Sequence, residues 1–305
     1  MLKTRSAASL LCAVLALACA QAQDGVPHDK EFWKQIAKND YRLPAGASPA
    51  ALIDELTNNL GSPDPELRDD LAYDISAAWI YRDGLLSGDE LRSLIHKCEA
   101  NLKVGIGEVG SDSVLLRSFS ALELSLITAF DNKRPFMSEA DFQQLLTAAL
   151  NYMSAERDLR GYDRDKGWMH ATAHTADLLK FLGRSSRLKA PDQARILEAI
   201  AAKLRQGGQV FVFGENERMA ASVLSLVRRS DFDQQGFASW LAGFVAQGKT
   251  LWKNRPLDVA EFASVQNAKD LLRSALVQLD SSDHADAGGA QSTSRSILDA
   301  FKQLR

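Results

Sequence analysis

The feature that most constrains this chain is its hydrophobic period. Apolar residues recur every three to four positions along nearly its whole length, and no stretch alternates in the two-residue rhythm of a half-buried strand. The β-like run Val210–Phe213 is too short to anchor a sheet and reads as a loop between helices. The pattern predicts helices near 30–38, 48–60, 64–82, 87–103, 112–131, 138–153, 166–183, 191–206, 215–230, 234–247, 257–280 and 292–304. Ser48-Pro49, Asp64-Pro65 and Ser138-Glu139 supply starts, with a capping side chain followed by proline or an acid in the first turn. Helices of this length joined by short loops imply an all-α fold: an α-solenoid-like array of antiparallel pairs of HEAT or armadillo character, with a closed helical toroid as the alternative.

The N-terminus reads as an export signal. Lys3 and Arg5 precede an apolar stretch from Ala7 to Ala20, and Ala20-Gln21-Ala22 offers the small-x-small pattern of a cleavage site. Residues 1–22 are therefore expected to be removed, leaving a periplasmic or extracellular protein with no transmembrane span. A competing reading takes Leu17-Ala18-Cys19 as the end of a lipobox, which makes the protein a lipoprotein anchored at Cys19. Cys12 and Cys19 lie in this region, so the mature chain keeps only Cys98, cannot form an internal disulfide, and must depend on its core. Cys98 falls among Leu94, Ile95 and Leu102 and reads as a buried structural thiol. Residues 23–280 form the helical domain. Residues 281–292, small, polar and glycine-containing, read as a linker before a short amphipathic helix that docks on the domain or on a partner.

Of the 305 residues 46% are hydrophobic and 25% charged, which is globular composition. The net charge of -3 and the lack of a basic run give no case for nucleic acid. No Walker loop, GxSxG elbow or CxxC pair occurs.

Function is sought where charge falls on a core face, because a buried lone charge is costly. Glu123 interrupts the face of Leu116, Phe119, Leu126, Ile127 and Phe130, with Arg117 as its natural ion partner. Asp74 falls among Leu67, Leu71, Ile75 and Ala78. His170, His174 and Asp177 form one stripe at i, i+4 and i+7. That spacing aims two imidazoles to one side, so a divalent metal held by His170, His174 and Asp177, or by a neighbouring carboxylate, is one reading. Hydrogen-bonded semi-buried histidines are the bland alternative, and metal-free binding or acid–base work is a third. Tyr162 and Trp168, in a charged loop that uses glycine twice, are placed at a pocket mouth, and Glu215 and Arg218 open the next helix.

The same residues carry a family resemblance. Arg68-Asp69-Asp70-Leu71-Ala72-Tyr73, Gly105-Ile106-Gly107-Glu108, Arg117-Ser118-Phe119-Ser120, Arg160-Gly161-Tyr162, Gly167-Trp168-Met169-His170 through His174, and Gly214-Glu215-Asn216-Glu217-Arg218 resemble the bacterial family of domain of unknown function 2785. The likeness runs from about residue 50 to 247, with Met169 where alanine is expected. It implies a helical, repeat-like fold and points to the same residues without naming a reaction. Two functions remain: a binding or scaffold module of the cell envelope that takes a protein or peptide ligand, and a metal-assisted hydrolase on the His170, His174 and Asp177 face.

Overall fold

A computed structural model describes residues 27–280 and 287–304 except Gly207 and Asn254. The proposed signal and Cys19 lie outside the described residues, as does the first half of the linker. The described chain is all-α apart from one two-stranded hairpin: α1 (Lys30–Lys38), α2 (Pro49–Asn59), α3 (Glu66–Arg82), α4 (Gly88–Asn101), α5 (Ser113–Lys133), α6 (Glu139–Ala155), the strands β1 (Tyr162–Asp163) and β2 (Gly167–Trp168), α7 (Ala171–Arg184), α8 (Ala190–Arg205), α9 (Glu215–Val227), α10 (Gln234–Leu251), α11 (Val259–Asp280) and α12 (Ala287–Gln303). Starts follow the expected chemistry. Ser48 Oγ accepts from Ala51 N–H, Asp64 from the amides of Glu66 and Leu67, and Ser138 forms a reciprocal capping box with Asp141.

The odd-numbered helices from α5 to α11 pack chiefly on their second neighbours in sequence. α5, α7, α9 and α11 form one row; α4, α6, α8 and α10 form another laid against it. This is a two-layer array of helix pairs. The connections α4–α5, α6–α7 and α8–α9 meet where they lead into the N-termini of α5, α7 and α9. The tail helix docks back on α10 and α11, burying Ile297, Ala300 and Leu304. α5 has the length and apolarity to cross a membrane, but here it is the buried centre of the array, packed on α7, α4 and α3.

Two departures from the 3.6-residue reading matter. α3 is mostly π-helix (Glu66–Tyr73 and Ala78–Arg82 around the α-helical turn Asp74–Ala77). A π turn holds more residues than an α turn, so faces projected with the α period drift. Asp74, expected inside, is exposed, and Arg68 is fully buried instead. Second, α7 begins at Ala171, not near 166. Gly167 adopts φ +73° and pairs with Asp163 across the hairpin, and the amides of Met169 and His170 donate to the carbonyls of Gly161 and Arg160. Those bonds are unavailable to a helix, so the chain enters α7 only after His170.

Candidate functional site

His170 caps α7 in the left-handed region at φ +50°, ψ 27°. For a residue other than glycine this costs on the order of 1 kcal/mol or more, and such strain concentrates where a side chain must be aimed. His174 follows within the first turn, and its amide donates to the carbonyl of His170. The rings come together, 5.5 Å between centroids. The i, i+4 juxtaposition therefore holds, although His170 stands outside the helix.

Hydrogen bonds fix both tautomers. The hydroxyl of Ser118, on α5, donates to the carbonyl of Met169. Its proton is thereby committed, so its oxygen accepts from His174 Nδ1–H at 2.9 Å. Nε2 of His174 is left unprotonated. His170 Nε2–H donates to the carbonyl of Phe213 at 2.7 Å, leaving Nδ1 unprotonated. Burial holds His174 well below the ordinary imidazole range, with His170 and Arg218 pushing the same way. Burial likewise lowers His170. Both rings are neutral at physiological pH and each presents one basic nitrogen.

Aromatic rings enclose His170 on the outer side. Trp168 stacks on it at 4.5 Å and 19° between planes, Tyr162 meets Trp168 edge-on at 4.9 Å, and Phe213 approaches Trp168 at 6.4 Å. Phe119 closes the inner side against His174. Gly161 is required here: a Cβ on it would lie 2.2 Å from the Phe213 ring. Arg68 reaches in from α3, stacks over Phe119, and donates to the carbonyls of Ser62 (2.8 Å) and Lys166 (2.7 Å), pinning the hairpin turn. Its neighbour Asp69 is raised to about 6 by burial.

The acids assigned to this site from sequence are dispersed. Asp177 is buried, but Oδ1 accepts from Lys180 at 2.8 Å and Oδ2 from Arg218. It completes a charge cluster rather than a metal triad with His170 and His174. Among the described residues no three His, Cys, Asp or Glu side chains are grouped to hold a metal ion. Tyr73 lies close enough to this cluster that burial and the charge of Asp177 push its phenol up to about 12. Glu215 is buried and accepts from the Phe213 amide at 2.8 Å, shaping the loop before α9.

Glu123 and Arg117 do not meet. Arg117 is fully buried and pairs with Glu156 at 2.7 and 3.2 Å. Its other nitrogen donates to the carbonyls of Val104 and Gly105, tying the α4–α5 loop to the core. Glu123 turns toward α4, where the Cys98 thiol donates to it at 3.5 Å, and burial raises it to about 7. The thiol itself is buried and its own pKa is pushed up, as expected of a structural cysteine.

A cleft of about 420 Å³ opens beside the aromatic group. One wall is Arg157–Tyr162 and the other Gln209–Phe213, with Val109 and Glu215 at its edges. The second wall is the short run read from sequence as a mere loop. Asn267, a fully buried amide on α11, holds it: Oδ1 accepts from Phe211 N–H at 2.8 Å and Nδ2 donates to the Gln209 carbonyl at 2.9 Å. The sequence signal for Asn267 was an amide on a helix face shared with Ser264 and Leu271.

Over residues 102–277 the chain matches the family described as protein of unknown function, DUF2785. The chain belongs to that family. No curated protein and no solved structure matches it. The DUF2785 match begins later and ends later than the resemblance suggested, so Arg68 and its neighbours fall before it. It takes in Ser118, the hairpin, both histidines, the cleft and Asn267.

Proposed function

We propose that this DUF2785 protein is an exported binding protein of the bacterial cell envelope, and that a protein or peptide ligand docks at the loop end of the α5–α11 row. One observation carries the reading. Large apolar side chains stand exposed together around the cleft: Val109 (68%), Tyr162 (51%), Trp168 (39%), Val212 (71%) and Phe213 (42%). They come from three separate loops. Contiguous exposed apolar surface of this kind marks interaction sites, whereas scattered single residues do not. The chemistry nearby gives the metal-assisted alternative little support: the carboxylate nearest the histidines in sequence, Asp177, is neutralised by Lys180 and Arg218. The N-terminal pattern, with a proposed cut after Ala22, supports export from the cytoplasm, with acylation at Cys19 as the alternative fate of the exported chain.

Photocrosslinking in living cells tests this. A benzophenone side chain at Val212 is expected to give a discrete adduct in the osmotic-shock fraction, and one at Arg134, at the opposite end of α5, is expected to give none. Equal yields from the two positions, or retention of the protein in the cytoplasm, would overturn the proposal.

A further inference from the structure

We infer that the segment Gln209–Phe213 is a template for strand addition, and that its occupant is an extended, acidic polypeptide segment. The inference rests on the binding reading above and specifies its mode. The hydrogen bonds of the segment alternate. Phe211 N–H goes to Asn267 Oδ1, Phe213 N–H to Glu215 Oε2, and the Phe213 carbonyl accepts from His170 Nε2. All of these lie on one edge. The N–H and C=O groups of the intervening Val210 and Val212 have no partner among the described residues. An extended chain directs the main-chain groups of successive residues to opposite edges, so the free groups share the other edge.

Such an edge is unusual. Proteins cover, twist or charge their unpaired edges, because an open one recruits another chain. Here three side chains from three different elements hold the inner edge, and the outer edge carries Val212, 71% exposed, with Phe213 beside it. The opposite wall of the cleft, Arg157–Tyr162, is also without helix, and its Gly161 leaves room for the Phe213 ring. The three residues Val210–Val212 between the bends at Gln209 and Phe213, at about 3.3 Å each, present an edge of roughly 10 Å, enough to pair with a short peptide segment. Recognition by main-chain bonds flanked by side-chain pockets is how strand-adding domains bind, and it tolerates varied sequences.

Charge selects among them. Asp158 is neutralised by Arg160, and Glu215 is buried, with its carboxylate held on the inner edge by the Phe213 amide. Arg157, at the cleft and exposed, forms no ion pair among the described residues. A carboxylate on the incoming chain answers it.

The test measures fluorescence anisotropy of labelled, reduced and carboxymethylated α-lactalbumin, an acidic chain that cannot refold, against the mature protein. Val212→Pro removes a donor that makes no internal bond, so the fold keeps all of its own. Val212→Thr retains the donor and the β-branch. Wild type and Val212→Thr are expected to bind alike, and Val212→Pro to bind roughly tenfold more weakly or worse, with unchanged circular dichroism. A second arm needs no folded variant. A short apolar, acidic segment of the probe is expected to bind, and the same peptide methylated on alternate main-chain nitrogens is expected not to. Full binding by Val212→Pro or by the methylated peptide overturns strand addition, as does failure of the wild type to bind the unfolded chain. In each case a persistent crosslink from position 212 in cells would leave the broader binding reading standing.

Discussion

Replacing Glu123 with glutamine should stabilise the protein, and only above a particular pH. Glu123 is fully buried, and burial raises its carboxyl from 4.5 to about 7. A folded-state pKa above the unfolded one means that the native state holds the proton more tightly. The stability contributed by that proton is complete below about 4.5 and is lost as pH rises through about 7. The difference between those two values, at 1.36 kcal/mol per unit, is about 3 kcal/mol lost by pH 8. Glutamine has nearly the same shape and no proton to lose, so Glu123→Gln escapes the loss. Urea denaturation of both proteins at pH 5 and pH 8 reads it out. The variant is expected to match wild type within about 1 kcal/mol at pH 5 and to exceed it by about 2–3 kcal/mol at pH 8. The comparison must be a difference between the two proteins. Lys203, lowered from 10.5 to about 7 by burial, acts between about 7 and 10.5 and with the opposite sign: its neutral form is favoured in the fold, so stability is lost as pH falls through that window, and the pH 8 measurement lies inside it. That contribution is common to both proteins and cancels. A difference independent of pH would refute the reasoning, because it would mean that Glu123 is ionised in the native state at both values.

Three further outcomes follow from the buried polar contacts and the leader. Arg117→Ala leaves Glu156 as an uncompensated buried charge and should cost about 3–5 kcal/mol, seen as a lowered denaturation midpoint in urea; a loss below about 1 kcal/mol would show that the pair is solvated. Ser118→Ala strips the Met169 carbonyl and His174 Nδ1–H of their shared partner and should cost about 1–3 kcal/mol, with a shifted His174 ring resonance in NMR; a silent variant would reject the tautomer assignment. Intact mass of the secreted protein should place the N-terminus at Gln23, and a diacylglycerol-modified Cys19 would establish the lipoprotein alternative instead.

The helical array was legible because its signal is repeated many times over. Each helix start depends on local chemistry, such as Ser138 with its acid three residues on, and each core face on a period that many residues share. The errors fall where one residue changes the geometry of its neighbours. The π segments of α3 shift the register by a fraction of a turn, and that is enough to exchange Asp74 for Arg68 in the interior. Gly167 in the left-handed region turns the chain into a hairpin, which moves the start of α7 past His170. Ion pairing is harder still to read. Arg117 and Glu123 lie six residues apart in sequence, close to two helical turns but off one face, and each finds its partner on another element.

The site shows the same division. His170, His174, Tyr162 and Trp168 were legible as a group because they lie within a dozen or so residues of one another, and local geometry does bring them together. What was invisible in the sequence is the wall that faces them. Gln209–Phe213 has the composition of a strand and no strand to pair with, so sequence logic discards it as a loop. The reason that it stands open is distributed over Asn267, Glu215 and His170, which are separated by as much as a hundred residues and are united only when α7, α9 and α11 pack in one row. A β-prone run held along one edge by Asn267 of α11, Glu215 of α9 and His170 at the cap of α7, with Val212 left in solvent, is stable only because those contacts compensate for it. That is why the proposed docking site is the opposite edge rather than the histidine pair.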